Sequence, residues 1–221
     1  MVACLIAAAL KKRGKDVGVM KPIATGGRMT SSGLVSDDAL ALAAVAGAED
    51  PYPLINPVCY EAPLAPSVAA REAHRPVEMA AVWQAYEKLR DRHETMIVEG
   101  VGGLLVPIAE GYFVSDLARM LGLPLLIVAR AGLGTINHTL LTLECARAKG
   151  LAIAGVILNG ARGAENDPSE RSNAEEIART GGARILGTVK HLPGLQFSAD
   201  TRSRLADLAE EQMDVNRILA G

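Results

Sequence analysis

Met96-Ile97-Val98-Glu99-Gly100-Val101-Gly102-Gly103-Leu104-Leu105-Val106-Pro107 is the stretch that decides how this chain is read. An apolar, partly β-branched run meets a carboxylate and then a Gly-x-Gly-Gly turn. The run predicts a buried strand of a parallel sheet. A turn so rich in glycine lets the backbone approach a ligand closely, with N–H groups free to hold anionic oxygens. Glu99 then stands at a strand's carboxyl end, where open α/β sheets bind ligands. Taken alone, the stretch reads equally well as a strand-to-loop turn with one solvated glutamate.

The same pattern recurs on both sides of it. Residues 123–129 form the most continuous apolar run, ending in Arg130-Ala131-Gly132-Leu133-Gly134-Thr135-Ile136-Asn137-His138 and a helix over 139–149. Further strands are expected at 16–20, at 152–158 (stopped by Asn159-Gly160) and at 185–189. Apolar spacing predicts helices at 2–10, 39–46, 67–73, 77–93, 115–121, 173–180 and 201–219. Lys11-Lys12-Arg13-Gly14 closes the first of these, Ser36-Asp37-Asp38 caps the second, and Ser115 is a candidate cap for the fifth. Met79, Val82, Trp83, Tyr86 and Leu89 recur at helical spacing and are read as core rather than as ligand stackers. Residues 28–35 are polar and Gly/Ser-rich and read as a mobile loop, and 50–66 as irregular. Strands alternating with helices, without repeats or linkers, imply one α/β domain over 1–221 with a doubly wound, mainly parallel sheet. A βαβ chain should open on a strand, yet here the first element is a helix.

Composition narrows the function. The chain has 221 residues, 49% hydrophobic, with a formal net charge of -2 and no block of one sign, which argues against a nucleic-acid or membrane-surface protein. Aromatics at 3% leave no base-stacking platform. Cys4, Cys59 and Cys145 lie far apart without metal-ligand spacing and read as buried thiols in a reducing cytoplasm. No apolar run is long enough to span a membrane. The opening Met1 to Leu10 is apolar like a signal-peptide core but lacks the preceding basic stretch and a cleavage site.

Lys21, Glu99, Asn137 and Asn159 all fall at or just after carboxyl ends of expected strands, which a parallel sheet gathers on one edge. Glu99 with one of Asp37 or Asp38 offers hard oxygen ligands suited to Mg²⁺ held together with substrate phosphates. Lys21 supplies a fixed positive charge. The set suggests phosphoryl transfer, which rests on positioning and charge neutralisation. His138 and His191 show no partner in the sequence that would make either an acid or a base, and Ser36, Ser67 and Ser115 have no nucleophile-elbow context.

Four segments, with Pro63-Leu64-Ala65-Pro66, carry a resemblance. Lys21-Pro22-Ile23-Ala24-Thr25-Gly26, Ser36 to Leu42, Val98 to Gly103 and Gly134 to Thr142 resemble, in order, the motifs of dethiobiotin synthetase. The resemblance runs from Met1 to about Leu195, and it implies a sheet of the P-loop NTPase type. It implies an ATP- and Mg²⁺-dependent cyclo-ligase of biotin synthesis, a cytoplasmic homodimer. There 7,8-diaminononanoate takes up CO₂ as a carbamate, ATP phosphorylates it, and the second amine closes the ureido ring. On this chain Lys21 resembles the catalytic lysine, Thr25 the substrate-binding hydroxyl, and Asp38 and Glu99 the Mg²⁺ ligands. Glu99, Gly100, Val101 and Gly102 resemble the loop beside phosphates and carbamate. Gly134 and Asn137 look like part of a substrate-carboxylate site shared across the dimer. Asn159 and Gly160, with Val189, Lys190 and His191, resemble the adenine site. Two departures stand beside this. No G-x-x-x-x-G-K-[ST] occurs in the chain, and Lys190 stands where the family usually has proline. The expectation is a gene product extended upstream by a strand and P-loop, the 221 residues folding and dimerising but binding ATP weakly. The alternative is an inactive relative that keeps only substrate binding or dimerisation.

Overall fold

The computed structural model describes residues 1–220, which divide into two compact units. The first comprises Ala3–Leu121 with Phe197–Ala206, and the second begins at Gly122, runs to Gln196 and resumes at Asp207.

In the first unit, α1 (Val2–Lys12) leads into β1 (Val17–Met20), β2 (Ile23–Thr25), β3 (Arg28–Thr30), β4 (Gly33–Val35) and α2 (Asp37–Ala46). Then come α3 (Tyr52–Ile55), β5 (Val58–Tyr60), α4 (Pro66–Glu72), α5 (Met79–Arg90), β6 (Thr95–Val98), β7 (Pro107–Ala109), β8 (Tyr112–Phe113) and α6 (Val114–Leu121). β1 pairs in parallel with β6, and β2 in parallel with β5. Leu5, Leu10, Val19, Met20, Leu42, Val82 and Leu89 are fully buried, so α1, α2 and α5 each commit an apolar face to the core. Tyr86 is core as expected, its hydroxyl donating to Leu121 O at 2.9 Å, while Trp83 is half-buried.

In the second unit, β9 (Leu125–Arg130), α7 (Thr135–Ala148), β10 (Ile153–Ala161), α8 (Asn173–Gly181) and β11 (Ile185–Lys190) build a parallel sheet in the order β11-β10-β9. Val156, Leu158, Leu143 and Ile177 form its core. The chain closes with α9 (Arg202–Gln212) and α10 (Val215–Ala220). Among the described residues, no helix is long and apolar enough to cross a membrane.

Four expectations are corrected. Residues 28–35 are an antiparallel ribbon, β3 with β4, tied at its turn by Thr30 Oγ1 donating to Gly33 O at 2.7 Å. Ser115 lies inside α6, and Asp116 instead accepts from Phe113 N at 2.9 Å. β10 does not stop at Asn159-Gly160, because Gly160, at φ +85°, takes up a bulge that lets Ala161 pair with Lys190. The expected helix over 201–219 breaks at Met213–Asp214, where Met213 bridges to Gly187 and Asp214 N donates to Leu186 O at 2.7 Å. Gly187 permits that approach, since a Cβ there would lie 2.3 Å from Gln212 O.

Candidate active site

β1 and β6 run in register from Val17 opposite Thr95 to Met20 opposite Val98. The next residue of each strand is therefore Lys21 or Glu99, and the two leave the sheet side by side. Lys21 Nζ donates to Glu99 Oε1 at 2.8 Å and to Gly100 O at 3.1 Å, and stands 3.4 Å from Asp38 Oδ2. An ammonium has three protons, and here three oxygens face it. Lys21 is only 6% exposed, so this charge persists by being paired.

Asp38 reaches the cluster because α2 starts where it does. Ser36 Oγ accepts from Ala39 N at 3.3 Å, an N-cap worth about 1 kcal/mol. That start divides the two neighbouring carboxylates, Asp38 turning to Lys21 while Asp37 pairs with Arg28 Nε at 2.8 Å. Of the two candidates left open by sequence, Asp38 is the one in the cluster.

Two carboxylates against one ammonium leave the cluster at formal charge −1. Among the described residues no set of three or more His, Cys, Asp or Glu side chains gathers to hold a metal alone. A pair of carboxylates with further oxygens supplied by a phosphate is nevertheless a donor set that suits Mg²⁺. Asp38 keeps its side chain 70% exposed and Glu99 25%, so both can still reach a ligand. Cys4 lies within the field of both. Burial pushes its thiol up to about 11, the Glu99 and Asp38 charges adding to the shift and the N-terminal ammonium opposing it. It is a thiol at neutral pH.

After Glu99 the chain turns through Gly100, Val101 and Gly102. Gly102 adopts φ +67°, and a Cβ there would meet Val106 Cγ2 at 2.7 Å, so the turn requires glycine. Thr25 ends β2 opposite Tyr60, half-buried.

The second unit carries the other candidates. Gly134 is the left-handed N-cap of α7, and Asn137 is exposed on that helix's first turn. Arg130 Nη2 donates to His138 Nδ1 at 3.1 Å, which makes that nitrogen an acceptor. Asn159 lies opposite both Arg130 of β9 and Val189 of β11, so the adenine-like set Asn159, Gly160, Val189, Lys190 and His191 is contiguous. Val189 is fully buried, His191 N donates to Ala161 O at 2.7 Å, and Lys190 N donates to Gln212 Oε1 at 2.9 Å. Asn159 Oδ1 is buried without a hydrogen-bond partner, an orphaned acceptor of the kind an exocyclic amino group satisfies.

Sequence reasoning missed the turn that braces this region. Asp167 accepts from Leu133 N at 3.1 Å and from Ser169 Oγ at 2.6 Å, and these bonds, Ser169's first, hold its carboxyl below the usual range. Asn173, buried, donates to Ala131 O at 2.6 Å. Glu170 accepts from Gly163 N at 2.9 Å. One turn thus fastens both the Gly-rich loop after β9 and the chain leaving β10. Its sequence, Asn166-Asp167-Pro168-Ser169, signals a turn but not its contacts.

Comparison with known proteins gives the family. A protein-family profile described as an AAA domain matches residues 1–199. The ATP-dependent dethiobiotin synthetase BioD of Anaeromyxobacter sp. (strain Fw109-5) is 43% identical over 93% of this chain and 90% of its own length. That of Methanocaldococcus jannaschii is 38% identical over 86% of each chain. The MinD cell division protein of Aquifex aeolicus superposes with TM-score 0.52 at 15% identity, covering 100% of this chain and 91% of that one, a likeness of fold alone. With relatives so similar over most of its length, and the Lys21, Asp38 and Glu99 cluster in place, the chain belongs to the dethiobiotin synthetase family.

Proposed function

We propose that this chain closes the ureido ring of dethiobiotin, using 7,8-diaminononanoate, CO₂ and ATP. The observation that carries the reading is the buried Lys21 ammonium set among Glu99, Gly100 and Asp38. In this reading one amine of the substrate adds to CO₂ and loses a proton to become a carbamate. The carbamate oxygen takes the γ-phosphoryl group of ATP, and the second amine then displaces phosphate as the ring forms. Lys21 acts on the negative charge that collects on carbamate and phosphoryl oxygens. Asp38 and Glu99 are the proposed Mg²⁺ ligands, and bound Mg²⁺ would neutralise phosphate charge. Gly100, Val101 and Gly102 line the phosphates with backbone groups. Thr25 holds the diamine, and Gly134 and Asn137 belong to a substrate-carboxylate site shared across a homodimer. Asn159 and Gly160 with Val189, Lys190 and His191 take the adenine, which the orphaned Asn159 Oδ1 supports.

The two units are proposed as halves of one dethiobiotin synthetase-like domain, since the family profile runs across both. A homodimer belongs to the proposal. Leu133, in the loop before α7, and Leu141, on α7 four residues after Asn137, are 84% and 61% exposed, apolar surface suited to a second copy. Free cysteines throughout are in keeping with a cytoplasmic location. The alternative is an inactive relative that keeps only substrate binding or dimerisation.

The test is dethiobiotin formation as a function of Mg²⁺, in the 221-residue chain and in the product of its full reading frame. Asp38→Asn and Glu99→Gln should each raise the Mg²⁺ needed for half-maximal rate without changing the fold. An unchanged Mg²⁺ dependence removes that carboxylate as a ligand. No turnover in either protein, with diamine binding retained, establishes the alternative.

A further inference from the structure

Lys21 and Asp38 are held by more than their own strand and helix. Lys21 falls in the break between β1 and β2, where Pro22 offers no N–H, so its peptide groups must find partners elsewhere. Lys21 N donates to Ile55 O at 2.7 Å, and Lys21 O accepts from Asn56 Nδ2 at 2.6 Å. Asn56 is 5% exposed and gives its other amide proton to Val58 O at 3.1 Å. Its Oδ1 accepts from the Tyr52 hydroxyl at 3.2 Å, and that same hydroxyl accepts from Ser36 N at 2.8 Å. Burial keeps the Tyr52 phenol protonated well above neutral pH, so it donates and accepts at once. Ser36 is the N-cap residue two positions before Asp38.

We infer that Tyr52 and Asn56 are positioning residues, a relay that fixes the Lys21 ammonium and the Asp38 carboxylate relative to each other. The relay runs Lys21 O, Asn56, Tyr52, Ser36 N, every step a hydrogen bond, and bridges the start of α2 to the end of β1 through one side chain at each joint. Glu99 needs no such device, because the ladder extends to it directly through Glu99 N and Met20 O at 2.8 Å. The relay therefore acts on one of the two carboxylates and not on the other. What this does for turnover rests on the proposed reading of Lys21 and Asp38 as the charge-handling pair, but the geometry can be tested without it.

The experiment is the proton exchange of the Lys21 ammonium group in the ¹⁵N-labelled 221-residue chain, without nucleotide, diamine or metal. The cross-peak is assigned by its loss in Lys21→Arg. Tyr52→Phe removes both bonds of the hydroxyl and should speed exchange about threefold, the size expected when one hydrogen bond of a shared set is weakened. Asp38→Asn should do the same. In the Asp38→Asn background Tyr52→Phe should then have no further effect, whereas in the Glu99→Gln background the two effects should multiply. Asn56→Ser, which cuts the relay in the middle, is the second variant should the first not fold, with the same pattern expected. Unchanged exchange in Tyr52→Phe overturns the inference. So does multiplication in both backgrounds, the mark of a general loosening, and so does the lack of a slow ammonium signal in the wild type. A chain that forms no dethiobiotin would leave this pattern intact and would sink only the proposed reaction.

Discussion

His93→Gln should destabilise the protein much more at pH 5.5 than at pH 8.5. His93 bridges two carboxylates at the far end of the β1–β6 pair from Lys21. Its Nδ1 stands 2.9 Å from Asp16 Oδ1 and its Nε2 2.8 Å from Asp50 Oδ2. Burial of the imidazole pulls its pKa down, but hydrogen bonds and attraction from Asp16 and Asp50 outweigh this and leave it above the ordinary 6.5. Asp16 is held below its ordinary 3.8, chiefly by the His93 hydrogen bond. The histidine's contribution is fully present below pH 6.5 and is lost as pH rises through its folded value, and the aspartate's is present above 3.8 and lost on acidification through its own. The cluster is thus strongest between about pH 4 and 6.5. The Asp50 side chain is only 6% exposed, and a charge-assisted bond to it is worth about 1.5–3 kcal/mol. The Asp16 side chain is 46% exposed, which discounts that bond to about 1 kcal/mol or less. Glutamine keeps one bond and no charge, so a loss of about 2 kcal/mol is expected at pH 5.5, shrinking as pH rises through the histidine's folded value. Urea unfolding followed by Trp83, the one tryptophan, reads this directly because Trp83 lies on α5 in the same unit. An equal loss at both pH values, or a larger one at pH 8.5, would refute the argument.

Lys21→Ala should lower the rate of dethiobiotin formation by about 10²–10³ with diamine affinity changed far less, since one preorganised donor to developing charge is worth that much; single-turnover and binding measurements separate the two effects. Gly132→Ala should raise the KM for diamine about fivefold while leaving nucleotide affinity in place. A Cβ there would stand 2.6 Å from Asp167 Oδ2 and push the loop before Asn137 off its brace, a shift costing about 1 kcal/mol. Steady-state kinetics varied in each substrate check it.

Elements with strong local signals were legible. Ser36-Asp37-Asp38 announced α2 because a cap is written in the residues that make it, and the 96–98 run announced β6 by its apolar, β-branched residues, although the strand is half-buried throughout and not buried as expected. The β3–β4 ribbon was not legible, since each strand has three residues and only Val35 is buried, too few for an alternation to show. The break between α9 and α10 was hidden for a different reason. Helical spacing continues across Met213 and Asp214, and what stops the helix is Gly187 and Leu186, more than twenty residues away in sequence.

For the site, residue types at strand ends pointed to Lys21 and Glu99, and register explains why that worked. Once Met20 lies opposite Val98, the next residue of each strand has no freedom to be elsewhere. By residue type Asp38 was legible only as one of a pair, which the family resemblance alone resolved, because the choice between adjacent carboxylates depends on where the helix starts, and a shift of one residue turns a side chain by about 100° around its axis. That start is fixed through Ser36 by Tyr52, and Tyr52 by Asn56, neither of which bears any chemistry that sequence patterns flag. The same logic joins His93 to the Lys21–Glu99 pair. Asp16 O accepts from Thr95 N at 3.2 Å, and the Asp16 carboxylate takes both Glu94 N and His93, so the residues that set the register of β1 against β6 form the titrating cluster itself. Register at one end of a four-residue ladder is register at the other, and the His93 cluster and the Lys21–Glu99 pair close the two ends of one pairing.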